Sequence, residues 1–460
     1  MIRQKIYELK NWKGVVHTTW NPEGPGVIRI HLIPPKFVPF RRVPSIAILN
    51  GQDILPVDEC QAILLTEFIN NVNSFGDGPM TDEQLENVLK NTFKGVKRVF
   101  PFVKEEVLRD DLDVMVGVFE DVVAGRVPDT DITPISIGEY APYMTAPHRM
   151  DLMVSAMTKN GGWNCNQRCL HCYAAGQKYA DEQELSTEDW KKIIDICRHE
   201  KISQLTFTGG EPTMRSDIPE LIKYSRWFVT RLNTNGVNLT PEFCASLREA
   251  ELDSVQVTCY SHEPVRHNAL VGAQNWEKTI DGICNALDAG LNLSVNTPLC
   301  SINKDYAKTL QFLHEQGVRY VTCSGLIISG NATEESSIET QLKQDELYEV
   351  LKAAVEYAYS HDMEISFTSP GWISPEKLNE LGLDAPGCGA ALSNMAVTPG
   401  GRVVPCQSWL TEDSLGNILT DGWKDIWNSE RTKKIRAVSA KMESVCQLRV
   451  INEKKKSGNH

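Results

Sequence analysis

From about residue 150 onward, strand-like and helix-like segments alternate six times, and this alternation constrains the fold more than any other feature of the chain. The strand-like runs are 150–157, 204–208, 229–233, 254–260, 292–299 and 320–328. Helical stretches follow them at 187–199, 217–226, 241–250, 275–289, 304–316 and 341–360. Such a repeat favours parallel strands joined by right-handed crossovers. We therefore predict an α/β fold, a partial (β/α)6 TIM-like barrel at residues 150–360, with its active site at the carboxyl ends of the strands.

The flanking segments lack this alternation. Prolines break up residues 22–39, and a strand-like run at 45–49 leads into the turn pair Asn50-Gly51. Helical periodicity follows at 57–74, after Thr81 and at 104–124. Beyond about residue 361 the alternation stops and the chain becomes turn-rich. We expect an N-terminal α+β domain at residues 1–149 and a small C-terminal extension at 361–460.

Composition limits the classes of function. The net charge of −13 argues against a nucleic-acid partner, which would require a basic face. The N-terminus lacks the apolar stretch of a secretion signal, and no run reaches the roughly 18 apolar residues of a membrane helix. Thirteen cysteines in such a chain indicate thiols kept reduced rather than a disulfide framework. They are metal ligands, nucleophiles or small buried hydrophobic residues, and their spacing has to distinguish these roles. We expect a soluble, cytoplasmic protein with no membrane partner.

The most specific motif is a cysteine triad directly after the first barrel strand. It reads Cys165-Asn-Gln-Arg-Cys169-Leu-His-Cys172-Tyr173. Three thiolates on one loop can bind three corners of a [4Fe–4S] cube, which normally has four protein thiolates, and leave one iron open. The alternative is a structural zinc site, for which His171 would be an awkwardly placed fourth ligand.

The end of the second strand favours the cluster over zinc. It reads Thr208-Gly209-Gly210-Glu211-Pro212. Glycines let a backbone approach a ligand closely, and Glu211 provides an acceptor for an ammonium group. The pairing of this strand end with the triad in the preceding loop is much more specific than either motif alone.

These motifs resemble those of the radical S-adenosylmethionine (SAM) superfamily, and the resemblance covers about residues 150–330. It implies that Cys165, Cys169 and Cys172 ligate a [4Fe–4S] cluster whose open iron binds the amino and carboxylate groups of SAM. The further cofactor-binding residues that it implies are His171, Tyr173, Gly209, Gly210, Glu211, Pro212, Asn235, Thr258 and Asn296. Such an enzyme takes one electron from a donor such as flavodoxin or ferredoxin, cleaves SAM to a 5′-deoxyadenosyl radical, and abstracts a hydrogen atom from its substrate.

A second group of cysteines lies in the C-terminal extension. The spacing Cys388-x12-Gly401-x4-Cys406, followed by Cys446, resembles the SPASM/twitch extension of many radical SAM enzymes. The resemblance implies a second, auxiliary [4Fe–4S] cluster bound by Cys388, Cys406 and Cys446. The full SPASM pattern has further cysteines that this chain lacks, and the sequence does not identify a fourth ligand. The alternative is that these cysteines are buried hydrophobic residues.

The order of elements in the N-terminal domain loosely resembles a RiPP recognition element, which holds the leader of a ribosomally made precursor peptide. Our favoured hypothesis is therefore a maturase that crosslinks, epimerises or forms a thioether in such a peptide. The alternative is a radical SAM enzyme acting on a small metabolite or cofactor precursor. A non-catalytic iron–sulfur or zinc protein is the more distant alternative.

Overall fold

The computed structural model describes residues 3, 6, 7, 14–21, 26–33, 45–51, 53–75, 79–124, 126, 135–410 and 413–457. The chain divides into two compact units, Met1–His148 and Arg149–His460. None of the helices within the described ranges combines the length and apolarity needed to cross a membrane.

The N-terminal unit is a four-stranded antiparallel sheet with three long helices. The strands pair in sequence order and are β1 (Val15–Asn21), β2 (Gly26–Ile33), β3 (Ser45–Leu49) and β4 (Asp53–Val57). The helices are α1 (Glu59–Asn73), α2 (Asp82–Val99), α3 (Glu105–Val123) and the one-turn α4 (Ile137–Tyr140). Asn50 and Gly51 both have positive φ angles, 48° and 74°, which a two-residue hairpin turn requires. Asp58 and Thr81 cap α1 and α2 through capping boxes.

The core of this unit lies between the sheet and the helices. It includes Leu49 and Leu55 from the sheet, Leu64 from α1, Phe93 from α2 and Leu112 from α3. The predicted elements of residues 45–124 are therefore present in the predicted order. The opening segment contributes the two strands β1 and β2.

The second unit is built on seven consecutive parallel strands. They are β5 (Arg149–Ser155), β8 (Gln204–Gly209), β9 (Val229–Thr234), β10 (Ser254–Thr258), β11 (Leu293–Pro298), β12 (Tyr320–Ser324) and β13 (Glu364–Phe367), with a small hairpin of β6 (Thr158–Lys159) and β7 (Gly162–Trp163) after β5. The helices between and after them are α5 (Thr187–His199), α6 (Ile218–Tyr224), α7 (Pro241–Glu249), α8 (Pro264–Val271), α9 (Trp276–Asp288), α10 (Tyr306–Glu315), α11 (Glu335–Ile338), α12 (Gln344–Ser360) and α13 (Pro375–Glu380).

All six predicted barrel strands are present, and the mixed α/β fold with a partial TIM-like barrel is confirmed. We expected the alternation of strands and helices to stop at about residue 361. This was wrong, because one further strand, β13, continues the parallel order. β13 has only four residues, so its periodicity is too short to recognise in the sequence.

The C-terminal segment extends the same sheet from its other edge. β14 (Asn394–Val397) pairs parallel with β5, and β15 (Arg402–Val404) and β16 (Gly416–Asn417) follow in antiparallel order. Three helices complete the unit: α14 (Trp423–Asn428), α15 (Glu430–Ser439) and α16 (Gln447–Ser457). The turn predicted at 398–401 joins β14 to β15, and Gly401 there has a φ of 85°.

Side chains alternate sharply along the barrel strands. One face carries apolar residues that are at most 2% exposed, namely Leu232, Val255, Val257, Val295 and Val321. The opposite face is polar and in partial contact with solvent, and comprises Arg231, Asn233, Ser254, Gln256, Thr258, Ser294, Asn296 and Thr322. Period-two alternation of this kind gives a barrel with an apolar outer layer against the helices and a polar inner wall.

Candidate functional site

The cysteine triad occupies the loop between β5 and α5, which leaves the carboxyl end of the first barrel strand. The start of the loop is fixed by Asn164, whose Nδ2 donates to the carbonyl oxygen of Ala156 at 3.0 Å and to Oε1 of Glu184 at 3.0 Å. Trp163 donates its indole N–H to the carbonyl oxygen of Gln167 at 2.7 Å. The loop that carries the thiols is thus tied to the end of β5.

Two distant segments hold the rest of this loop. From the α8 segment, the carbonyl oxygens of Val271 and Leu270 accept the N–H groups of Arg168 and Leu170, both at 2.8 Å. From the segment after β12, Asn331 donates its backbone N–H to Cys172 O at 2.9 Å and its Nδ2 to Cys169 O at 3.1 Å. The carbonyl groups of Cys169 and Cys172 are therefore fixed, which orients their thiols.

The thiols themselves are close together and shielded from water. Burial raises the pKa of Cys165 to about 12, and Glu211 and Cys172 add to the rise. Burial also raises the pKa of Cys169 well above its usual value, with Cys172 and Cys165 adding to the rise. A catalytic nucleophile would need a lowered pKa, which these cysteines lack. A bound metal centre would stabilise their thiolates by its own charge.

The spacing of the thiols distinguishes zinc from a cluster. Among the described residues, one set of three ligand atoms lies mutually within 4.8 Å, and it consists of His262, Glu263 and Asp305 and not of cysteines. Zinc, with Zn–S bonds of about 2.3 Å, would hold its thiolates about 3.8 Å apart. A four-iron cube spreads its ligands over separate iron atoms and does not require three thiolates mutually within 4.8 Å. The three cysteines therefore fit the cluster.

Among the described residues, His171 belongs to no set of three metal-ligating atoms that lie mutually within 4.8 Å. Its ring is 6% exposed, and Nε2 lies 2.8 Å from Oγ1 of Thr340, while Nδ1 is buried with no hydrogen-bond partner. Burial lowers the pKa of His171 to about 4, so the ring is neutral at pH 7. Nδ2 of Asn166, beside Cys165, is likewise buried without a partner. These two atoms are free to bond a group held by the thiols.

The glycines at the end of β8 allow the strand to meet the end of β5. Gly209 has a φ of 139°, and a Cβ there would lie 2.4 Å from the carbonyl oxygen of Ser155. A Cβ on Gly210 would lie 2.9 Å from the carbonyl oxygen of Ala156. Only glycine can occupy these positions without moving the backbone. Both positions therefore require glycine because two strand ends approach each other closely next to the cysteine loop.

Glu211 links the ends of β8 and β9. The side chain is 1% exposed, and its Oε1 accepts from Thr213 Oγ1 and Thr234 Oγ1, each at 2.6 Å, while Oε2 accepts from Asn235 N at 2.8 Å. Burial raises the pKa of Glu211, and these hydrogen bonds act in the opposite direction. The carboxylate is thus buried and fully oriented, and its role towards an ammonium group stays a prediction.

Asn235 connects this network to the cysteine loop. Its Nδ2 donates to Oδ1 of Asn166 at 2.5 Å, and its Oδ1 accepts from Val237 N at 3.1 Å. Tyr173 hydrogen-bonds Thr208 near the end of β8, and burial raises its pKa. Pro212 starts a short 3-10 turn, Pro212–Met214, beside them. The predicted residues of the first three strands therefore converge around the triad.

The two remaining predicted pocket residues lie further along the inner wall. Thr258 ends β10 and pairs in register with Asn296 of β11, and Asn296 Oδ1 accepts from Thr322 Oγ1 at 2.9 Å. Both belong to the polar face described above. Their part in cofactor binding stays a prediction.

The C-terminal cysteines form a second cluster of thiols. Cys388, Cys406 and Cys446 pack with Trp409 and the other apolar residues of one small core, Ala390, Ala391, Leu415, Ile435, Leu448 and Ile451. Burial raises the pKa of Cys406, and the nearby thiols of Cys446 and Cys388 raise it further. Gln447 donates from Nε2 to Sγ of Cys388 at 3.7 Å, and the indole N–H of Trp409 is buried without a partner. Converging thiols with N–H donors beside them fit a second iron–sulfur group.

Several residues that build the site were not identified from the sequence. They are Asn331 and Thr340, which hold the loop and His171, and Gly272 and Gly330, whose positive φ angles let their backbones touch the loop. A Cβ on Gly272 would lie 2.4 Å from Arg168 O, and one on Gly330 would lie 2.5 Å from Cys172 O. These residues lie about 100 or more positions from the triad, so no local spacing could reveal them.

Comparison with known proteins agrees with this geometry. The radical SAM superfamily model matches residues 162–313, and an iron–sulfur cluster-binding domain model, SPASM, matches residues 388–448. The mycofactocin maturase MftC of Mycolicibacterium smegmatis is 28% identical over 280 residues, which is 59% of this chain and 70% of that protein. The Fe-coproporphyrin III synthase of Methanosarcina barkeri is 28% identical over 191 residues, 40% of this chain and 47% of that protein.

Among solved structures, Streptococcus suis SuiB bound to precursor peptide SuiA has a TM-score of 0.60. The match covers 89% of this chain and 93% of the SuiB chain. Because the sequences are only 14% identical, the likeness is one of fold. The barrel and its two thiol clusters define an iron–sulfur enzyme of the α/β barrel class. With the two domain matches, the protein is a radical SAM enzyme with a SPASM iron–sulfur domain, and it uses SAM and [4Fe–4S] clusters. The individual ligands stay predictions.

Proposed function

We propose that this enzyme matures a ribosomally made precursor peptide. The observation that carries the proposal is the likeness to peptide-bound SuiB, which covers 89% of the chain and so extends beyond residues 149–460 into the N-terminal unit. The relative MftC, which is named a mycofactocin maturase, supports it. The modification would be a crosslink, a thioether or an epimerised residue.

In this proposal Cys165, Cys169 and Cys172 hold the catalytic cluster. When bound, the cluster and SAM supply a 5′-deoxyadenosyl radical that removes a hydrogen atom from the substrate. The hydrogen bonds from Asn331 and from residues 270–271 keep the thiols in place, and the apolar residues packed around the loop exclude water.

The strand ends would orient SAM. Gly209, Gly210 and Pro212 offer backbone beside the thiols, and Glu211 keeps the ends of β8 and β9 together while its buried charge favours an ammonium group nearby. Asn235 would hold the cofactor side of the loop through Asn166. The remaining contacts would come from His171, Tyr173, Thr258 and Asn296.

The second set of thiols would hold one auxiliary [4Fe–4S] cluster. Cys388, Cys406 and Cys446 are its proposed ligands, with the N–H groups of Gln447 and Trp409 beside them. N–H donors beside its sulfur atoms would raise the reduction potential of a cluster bound there.

The N-terminal unit would hold the leader of the peptide. Its antiparallel sheet ends in two edge strands, β1 and β4, and an extended peptide can add to such an edge. We further propose flavodoxin or ferredoxin as the electron donor, and the cytoplasm as the compartment, because all thirteen cysteines are free thiols.

Anaerobic reconstitution with iron and sulfide, followed by dithionite and SAM, tests the catalytic assignment. Wild type should form 5′-deoxyadenosine, and the variant Cys165→Ala/Cys169→Ala/Cys172→Ala should form none. Cys284→Ala is the matched control, because Cys284 lies in α9 and bonds Gln316, outside both thiol clusters. Unchanged 5′-deoxyadenosine in the triple variant would refute the assignment.

The peptide assignment needs its own test. A short peptide encoded beside the gene should be modified only with SAM and reductant, as a mass change shows. Hydrogen exchange of the full chain with this peptide should protect residues 15–21 or 53–57. Protection confined to residues 149–460 would contradict the leader role.

A second candidate is a small-molecule substrate, which the relative named Fe-coproporphyrin III synthase supports. In that case the enzyme would consume SAM with the small molecule and ignore every short peptide encoded nearby. Comparing 5′-deoxyadenosine formation with the two kinds of substrate distinguishes the candidates.

A further inference from the structure

Between β9 and β12, the inner wall of the barrel carries one cation among neutral polar groups. From β9 to β12 this wall offers hydroxyl and amide groups, Asn233, Ser254, Gln256, Thr258, Ser294, Asn296, Thr322 and Ser324. Arg231 of β9 is the charged residue among them. A polar wall in partial contact with solvent, rather than a packed apolar core, is a surface for a polar ligand.

Arg231 forms no ion pair within the described part of the chain. Its printed hydrogen bond is from Nε to Oγ of Ser254 at 3.3 Å, which leaves the rest of the guanidinium available. Asp151, the carboxylate whose charge acts on Arg231, is already paired with Arg149, whose Nε lies 2.9 Å from Oδ1 of Asp151. This part of the wall therefore holds two cations and one anion.

The environment makes this excess charge unfavourable without a ligand. Burial lowers the pKa of Arg231 and the positive charge of Arg149 lowers it further, while the negative charge of Asp151 acts in the opposite direction. A guanidinium stays protonated in proteins, so the cost remains as destabilisation until an anion balances it.

Neutral groups beside Arg231 also lack partners. Thr206 of β8 pairs in register with Arg231, is 2% exposed, and its Oγ1 is buried without a hydrogen-bond partner. Asn233, two residues along the same face, has an Oδ1 that is also buried without one. The hydroxyl of Thr206 can donate to an anion that contacts Arg231.

The depth of Arg231 separates it from the cofactor. Thr234 and Asn235, which bond Glu211, lie at the carboxyl end of β9 beside the cysteine loop. Arg231 precedes Thr234 by three residues, which is about 10 Å along a strand. A group bound at Arg231 would thus lie within the barrel, one layer below the predicted SAM site.

We propose that Arg231, with Thr206 beside it, binds a carboxylate of the substrate inside the barrel. The inference rests on the proposed peptide substrate and specifies its chemistry: the reacting segment carries a carboxylate, from either the C-terminus or an acidic side chain. A guanidinium pairs with a carboxylate through two parallel hydrogen bonds, which would fix the segment below the cofactor.

Titration of matched peptides against the reconstituted holoenzyme with SAM, without reductant, tests the proposal. The probes are acetyl-Ala-Ala-Ala with a free carboxylate, the same peptide as C-terminal amide, and acetyl-Ala-Glu-Ala amide. At least one carboxylate probe should bind tenfold or more tightly than the neutral amide. Preference for the first assigns the C-terminus, preference for the third assigns a side chain, and equal binding assigns any carboxylate.

Variants connect the preference to the residue. Arg231→Met should remove the tenfold preference, and Arg231→Lys should keep part of it. Arg319→Met is the control and should leave the preference unchanged, because Arg319 is an exposed arginine bonded to backbone carbonyls. Without peptide, Arg231→Met should melt at or above the wild-type temperature. Equal binding of all three probes to wild type, an unchanged preference in Arg231→Met, or a clear fall in its melting temperature would overturn the proposal. No radical chemistry is involved, so such a result would leave SAM cleavage untouched.

Discussion

Gly330→Ala is expected to damage the cysteine loop without altering any proposed ligand. Gly330 lies in the segment after β12, has a φ of 55°, and a Cβ there would meet Cys172 O at 2.5 Å and Tyr173 O at 2.6 Å. An alanine in this left-handed conformation costs about 1–2 kcal/mol in backbone strain. The added Cβ must also move away from Cys172 O by about 0.9 Å to reach an ordinary distance of 3.4 Å. The movement is costly because the atoms that it meets, Cys172 O and Tyr173 O, belong to the backbone.

The magnitude follows from adding the strain and the clash. Forcing extra volume into a packed site costs about 1–3 kcal/mol, so Gly330→Ala should destabilise the second unit by about 2–5 kcal/mol. Gly290→Ala is the matched control, because Gly290 has a φ of 67° and nothing lies within 4 Å of its Cβ position. It carries only the strain of about 1–2 kcal/mol.

Thermal unfolding and 5′-deoxyadenosine formation measure the two consequences. At about 2 °C per kcal/mol, Gly330→Ala should lower the melting temperature by about 4–10 °C and Gly290→Ala by about 2–4 °C. Movement of Cys172 should also reduce bound iron and 5′-deoxyadenosine in Gly330→Ala alone. If the two variants matched each other in both assays, the reasoning about loop contact would be refuted.

Further predictions concern the other parts of the site. Cys406→Ala/Cys446→Ala should lose about half of the iron on chemical analysis yet still form 5′-deoxyadenosine, whereas full iron content would exclude these ligands. Glu211→Gln should lower stability by about 2–4 kcal/mol and weaken SAM binding in equilibrium dialysis, since it replaces an acceptor of Asn235 N with a donor; unchanged values would contradict this. Burial lowers the pKa of His267 to about 4 against about 6.5 in the unfolded chain, so the unfolded state binds more protons below pH 6.5 and stability falls towards pH 4. His267→Gln should remove about 2 kcal/mol of the difference in unfolding free energy between pH 7 and pH 5, and an unaltered pH profile would count against it.

The sequence predicted the barrel well because each strand has its own period-two pattern and each helix its own period of 3.6. The strand expected at 229–233 is Val229–Thr234, and the helix expected at 187–199 is Thr187–His199. β13 was missed because four residues are too few to show a period. The parallel pairing of β14 with β5 joins residues nearly 250 positions apart, and no local pattern encodes such a partner.

The candidate site was predictable where its residues are adjacent in sequence. The triad and the residues from Gly209 to Pro212 each occupy one loop, and the radical SAM identity that they indicated is confirmed. The supporting contacts were not predictable, because Gly330 and Asn331 reach the triad only after the chain has passed through five more barrel strands. Arg231 was overlooked for a related reason: an arginine in a strand becomes informative only when its neighbours in the barrel are known.

Metal analysis of anaerobically purified protein tests the central claim most directly. Three thiolates on the loop after β5 are expected to hold a [4Fe–4S] cluster with an open iron, so wild type should contain about eight iron and eight sulfide per chain, and the triad variant about four of each. SAM should change the electron paramagnetic resonance spectrum of the reduced wild type and leave that of the variant unaltered. Stoichiometric zinc without iron in wild type, or equal iron in the two proteins, would contradict the account.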